Sequence, residues 1–113
     1  MSYFLFQVSY GPEAWAAMVN NLQDRSQAVE PAIQKLGGKM ERFWLSFGGY
    51  DIVGVVEMPD NVSAAAFSVA ISAGGACKNV KTTPLLTTQE GIEVMRKAAT
   101  CGYKPASAAV GSR

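Results

Sequence analysis

The stretch from Lys39 to Met58 leaves a folding chain the fewest options. Two runs rich in β-branched and aromatic residues flank Gly48-Gly49, and consecutive glycines supply the positive φ angles that a two-residue type I′ or II′ turn requires. The expected product is a β-hairpin. Its turn sets the register: Phe47 faces Tyr50, Leu45 faces Ile52, Phe43 faces Gly54 and Glu41 faces Val56 on one mostly apolar surface. Alternation then puts Ser46/Asp51, Trp44/Val53, Arg42/Val55 and Met40/Glu57 on the other surface. That second surface mixes a Trp, an Arg and two carboxylates with aliphatics, which suits neither a dry core nor open solvent.

The flanking segments supply the rest of a domain. Residues Ser2 to Ser9 alternate as a strand, with Phe4, Phe6 and Val8 as the helix-facing set. Pro12 fits the first turn of a helix carrying Ala14, Trp15, Met18, Val19 and Leu22 at helical spacing. The pattern breaks at Asp24-Arg25-Ser26 and resumes through Ala28, Val29, Ala32, Ile33 and Leu36, with Ser26 as the expected cap and Pro31 near the first turn or bending the helix. Gly37-Gly38 ends this segment. Beyond the hairpin, Asp60 is a good N-cap for a helix bearing Val62, Ala66, Phe67, Val69, Ala70 and Ala73, closed by Gly74-Gly75. Cys77 to Leu86 reads as a strand in which Pro84 marks an edge or a bulge. Thr87 and Glu90 form a capping box for a short helix through Ile92, Val94, Met95 and Ala98. Met18, Met95, Trp15 and Phe67 are expected to be core or helix-docking residues. From 100 to 113 small and polar residues dominate, so a folded domain over 1–99 with a flexible C-terminal tail is expected.

The order β-α-β-β-α-β plus a C-terminal helix defines an α+β, ferredoxin-like domain with a four-stranded antiparallel sheet. Right-handed crossovers place strands one and three side by side and both main helices on one face. The other face is bare and carries Leu5, Trp44, Val53 and Val55, more apolar surface than a monomer usually tolerates. With 49% of residues apolar and only 17% charged, a second copy is the expected cover, giving a dimeric α+β barrel with an internal cavity.

The same numbers exclude other classes. A net charge of +1 with interspersed acids and bases gives no long-range pull toward nucleic acid or an anionic membrane. No apolar run reaches the roughly 18 residues of a membrane span, and the N-terminus has no secretory pattern, so a cytoplasmic location is expected. Cys77 and Cys101 have neither metal-knuckle nor redox-pair spacing and are expected as reduced thiols. The absence of His removes the commonest metal ligand and the usual neutral-pH base, so no metal and no cofactor is expected within one chain.

The residues Phe47-Gly48-Gly49-Tyr50-Asp51-Ile52-Val53, followed by Val55-Val56-Glu57-Met58-Pro59-Asp60, resemble the signature of the GYD domain family, small bacterial proteins named for that Gly-Tyr-Asp. The likeness extends through Leu36-Gly37-Gly38-Lys39 to the Gly-rich helix end, the Thr-rich last strand and Thr87-Thr88-Gln89-Glu90, about the first hundred residues. It implies a dimeric α+β barrel, usually cytoplasmic and often assembled further, with no activity established for the family at large. Neighbouring families of that barrel include cofactor-independent monooxygenases, lactone isomerases, haem proteins and amino-acid-sensing domains. The haem branch typically relies on a His that this chain lacks.

The candidate site lies on the mixed face. Asp51 in a partly closed cavity could act as a general base or anchor a ligand; equally, it could accept hydrogen bonds from turn amides around Gly48-Gly49 or pair across a dimer. Arg42 and Trp44 project to the same side and could grip an acidic or aromatic molecule, or seal a dimer instead. Gln7 can add an amide to the same surface, and Glu57 and Lys81 are weaker candidates, on that face or else solvated or paired. The leading reading is a homo-oligomeric sensor or carrier that binds a small molecule in a sheet-lined cavity through Gln7, Arg42, Trp44, Asp51 and Lys81. The alternatives are a cofactor-independent isomerase or oxygenase using Asp51 as its base, and a purely structural assembly module.

Overall fold

The computed structural model describes residues 1–106. Its elements are β1 (Ser2–Tyr10), α1 (Pro12–Asn20), α2 (Ser26–Lys35), β2 (Lys39–Leu45), β3 (Ile52–Met58), α3 (Asn61–Ala73), β4 (Cys77–Leu85) and α4 (Thr88–Thr100). The four strands form one antiparallel sheet in the order β2-β3-β1-β4, the expected ferredoxin-like topology, with Pro84 on the edge strand β4. Among the described residues no helix is long and apolar enough to cross a membrane. Part of the expected C-terminal tail, 107–113, lies outside the described residues.

Alternation sorts the sheet as its sequence dictates. Phe4, Phe6, Val8 and Tyr10 of β1 and Ile52, Gly54, Val56 and Met58 of β3 are buried under the helices. Ile33 of α2 and Ala64 and Phe67 of α3 close over them, and Phe6 meets Phe67 edge-on at a ring-centroid separation of 5.1 Å. A second cluster joins Val8, Tyr10 and Ile52 to Trp15 and Met18 of α1. Fully burying an aliphatic or aromatic side chain of this kind contributes about 1.5–3 kcal/mol, so these clusters carry most of the fold's stability.

Local signals account for most helix ends. The Asp60 carboxylate accepts the Ser63 N–H at 2.8 Å, and the Thr87/Glu90 capping box closes with both bonds formed. After α2 the Gly37 N–H donates to the Gln34 carbonyl and the Gly38 N–H to the Ile33 carbonyl, the paired bonds of a Schellman motif that uses Gly37 at φ +85°. Ser26 does not cap α2. Asp24 takes that work, accepting the Ser26 N–H at 3.0 Å, because a carboxylate two residues upstream reaches the free amide that a residue inside the helix cannot. Pro31 is accommodated inside α2.

The hairpin departs from expectation at both ends. Gly48 and Gly49 do not make a two-residue turn: only Gly48 has positive φ, and the last joined pair is Ser46/Asp51, whose N–H···O bond is 2.7 Å. The register nevertheless stands over Leu45↔Ile52, Trp44↔Val53, Phe43↔Gly54 and Arg42↔Val55. A bulge at Glu41 then shifts it, so Met40 pairs with Val56 and joins the helix-side core instead of the open face. Met95 also differs from expectation, being 65% exposed on a helix that buries none of its residues.

Gly38 shows how tightly α2 meets the sheet. A Cβ there would lie 2.6 Å from the Glu57 carbonyl oxygen and 2.6 Å from the Met58 sulfur. Gly38→Ala is therefore expected to cost about 1–3 kcal/mol in urea unfolding, with an unchanged denaturant slope.

Candidate functional site

The two faces of the sheet offer different chemistry. On the face without helices, the pairings line up in rows across all four strands: Trp44, Val53, Gln7 and Lys81 in one; Arg42, Val55, Leu5 and Thr83 in the next; then Lys39, Glu57, Tyr3 and Leu85. Four of the residues singled out from sequence, Gln7, Arg42, Trp44 and Lys81, thus share one surface. Lys81 and Trp44 end the same row on opposite edge strands, so three strand spacings, roughly 14 Å, separate their backbones. Trp44 is 53% exposed.

Asp51 sits just beyond the end of that face and is already engaged. Its N–H donates to the Val8 carbonyl at 2.8 Å, its carbonyl accepts from Ser46, and its carboxylate accepts the Tyr10 N–H at 2.9 Å. The Ser9 hydroxyl donates to the Gly49 carbonyl at 3.1 Å and the Ser46 hydroxyl to the Tyr50 carbonyl at 2.7 Å, so the loop is laced to β1 and β2. The carboxylate partner is the amide of β1 and not those of the glycines.

The enclosed space lies on the opposite side of the sheet. A cavity of about 260 Å³ opens between the sheet and the gap separating α2 from α3. Phe6, Val8, Ile52 and Val56 form its floor, Val29 and Ile33 one wall, and Phe67 and Ile71 the other. Gly54 contributes bare backbone to the floor, where an added Cβ would lie 3.4 Å from the Phe43 ring. Three polar side chains reach it: Tyr10, Arg25 and Cys77. A bulge at Lys78 turns Cys77 to face Tyr10 across the ladder.

Electrostatics at this rim follow from burial. Burial raises the Tyr10 hydroxyl pKa above its ordinary value; a hydrogen bond and the charge of Arg25 partly offset this, while Cys77 and Asp51 add to it. Burial also pushes the Cys77 thiol up, against the opposing charge of Arg25. Both groups are therefore neutral at pH 7, and the guanidinium is the charge at the rim. Arg25 Nη1 donates to the Gln23 side chain at 2.8 Å, and among the described residues no carboxylate lies within ion-pairing distance of it. A half-buried cation with spare donors beside an apolar hollow is a natural anion acceptor. No group of three His, Cys, Asp or Glu side chains among the described residues could hold a metal ion.

A family profile described as the GYD domain matches residues 4–95. The chain belongs to the GYD domain family. No curated protein sequence matches it.

In this GYD domain the tripeptide Gly49-Tyr50-Asp51 is a splice between strand ends, and the cavity lies behind it. Sequence reasoning passed over Tyr10 and Arg25. The available signal was Gly54, a strand glycine on the core-facing side, which marks missing volume.

Asp51→Ala leaves the Tyr10 N–H without its acceptor and is expected to cost about 1–3 kcal/mol in urea unfolding, whereas Asp51→Asn keeps an acceptor oxygen and costs less. A pH effect arises from Cys77 and Tyr10. Their native pKa values lie above the unfolded ones, so as pH rises the unfolded chain loses these protons first. Their contribution is complete below the ordinary thiol value and is lost as pH rises through the native values. Unfolding free energy is thus expected to decline above roughly pH 8.5, and Cys77→Ala to flatten the first part of that decline.

Proposed function

We propose that this GYD domain is a homodimeric binding protein, a sensor or carrier, whose ligand is a small monocarboxylic acid held in the cavity between the sheet and α2/α3. One observation carries the reading: among the described residues no carboxylate pairs with the Arg25 guanidinium at the rim of a nearly apolar hollow. At about 260 Å³ the cavity falls just below the roughly 300–1,000 Å³ of drug-sized sites, so a single ring or a short branched chain fits its floor. The carboxylate meets Arg25, and the Tyr10 hydroxyl and Cys77 thiol serve as neutral donors.

In this reading the open rows of Tyr3, Leu5, Val53, Val55 and Trp44 meet the same surface of a second copy, and Arg42, Gln7 and Lys81 lie at that junction. The ligand cavity and the sheet-to-sheet contact then lie on opposite sides of one sheet. The engagement of Asp51 with the Tyr10 amide favours binding over a cofactor-free reaction that would need that carboxylate as a base.

Calorimetry with phenylacetate and its uncharged counterpart 2-phenylethanol tests the ligand class. Phenylacetate is expected to bind at least tenfold more tightly, about 1.4 kcal/mol, and Arg25→Met is expected to abolish the difference. Equal affinity for the two probes, or an unaltered preference in the variant, rejects the assignment.

A further inference from the structure

The helix α4 buries none of its residues, although Ile92, Met95 and Ala99 recur at three- and four-residue spacing with Gly91 and Ala98 beside them. Glu90, Glu93, Arg96 and Lys97 occupy most of the remaining circumference, with Val94 exposed among them. Thirteen residues with one capping box make a marginal helix in water, so this apolar stripe needs a surface to lie on. A second unfilled feature lies along the outer edge of β2: a crevice of about 680 Å³ between α1 and the strand, with apolar walls and a charged rim at Asp24, Arg25, Glu41 and Arg42. Trp15, Met18 and Leu22 flank it on one side and Phe43, Trp44 and Leu45 on the other. Leu22 is 86% exposed and Leu45 69%.

We propose that α4 of one copy seats in the β2–α1 crevice of a second copy of this chain. The inference rests on the homodimer of the preceding reading but not on its ligand.

Four features point to that occupant. The strand order puts β4 and β2 on opposite edges, and only Leu86 and Thr87 separate β4 from α4. The three steps from Leu85 to Thr88 span at most about 11 Å, short of the roughly 14 Å across the sheet, so α4 cannot lie along the crevice of its own chain. A two-fold axis running parallel to the strands between two open faces sets β4 of one copy beside β2 of the other, which delivers α4 to the partner's crevice. The lengths also match: thirteen helical residues span about 20 Å and the seven residues of β2 about 23 Å.

Interface area supplies the third argument. Three rows across four strands have a footprint of roughly 400 Å², short of the about 800 Å² per partner of a typical stable complex. The α4 stripe and the crevice together supply the missing surface. Finally, β2 is an edge whose outer backbone groups have no strand partner, and a covering helix is one of the ways proteins protect such an edge.

The test uses the full chain with the photo-cross-linker p-benzoylphenylalanine in place of Met95, as a mixture of 15N-labelled and unlabelled copies. Mixed-isotope cross-links from position 95 to α1 or β2, near Leu22 or Leu45, are the expected result. In sedimentation, Met95→Glu and, from the other side, Leu22→Glu are each expected to raise the dimer dissociation constant at least tenfold with an unchanged circular dichroism spectrum. A dimer in which position 95 cross-links within its own chain, to the partner's open face or to the partner's α4, overturns the seating and leaves the dimer standing. A dimer indifferent to both substitutions does the same. A chain that stays monomeric at micromolar concentration overturns the seating and the homodimer together.

Discussion

Asp51 ties three strand ends together with one residue. Its amide and carboxylate bind β1 at Val8 and Tyr10, and its carbonyl accepts from Ser46, the residue that follows β2. Sheet register depends on such anchoring, because a slip of one residue would exchange every side chain between the two faces. With β1 and β3 fixed here, Phe4, Phe6 and Val8 must face the helices and Leu5 and Gln7 must face away. Both the packed core and the uncovered surface result from that choice.

The two faces divide the work of the molecule. The helix side has what burial alone can give, a packed core with a hollow where Gly54 withholds a side chain and Arg25 stands at the rim. The other side presents rows of aliphatic and aromatic residues interrupted by Arg42, Lys81 and Glu57, a mixture suited to a wet, specific contact. The hollow gains its shape from inside one chain, so the distance from its floor to its charge is set before any partner arrives. Preorganisation of this kind reduces the ordering cost of binding.

Much of this was legible in the sequence because period-two alternation and end signals are local. The core-facing set of β1, the Asp60 cap, the Thr87/Glu90 box and the glycine ends of α2 and α3 all arise from neighbours within a few positions. Bulges are not legible in that way. Glu41 and Lys78 each add one residue to an edge strand and reverse the facing of the strand residues on one side of them, carrying Met40 into the core and Cys77 opposite Tyr10. The turn departs from its local signal for a related reason: Gly48-Gly49 permits a two-residue reversal, but the pull of Asp51 toward β1 opens the hairpin end to a Ser46/Asp51 closure. Arg25 gives no such signal, because its importance comes from packing between α2 and the sheet, which no short-range pattern encodes.

Arg25 occupies the junction between α1 and α2 and belongs to neither helix's packed face. Lengthening or shortening that connector would relocate the guanidinium without touching Ile33, Phe67 or any floor residue. A lineage with this architecture can therefore move the charge at the rim by insertion and deletion at a hinge of a few residues, long before the interior has to change.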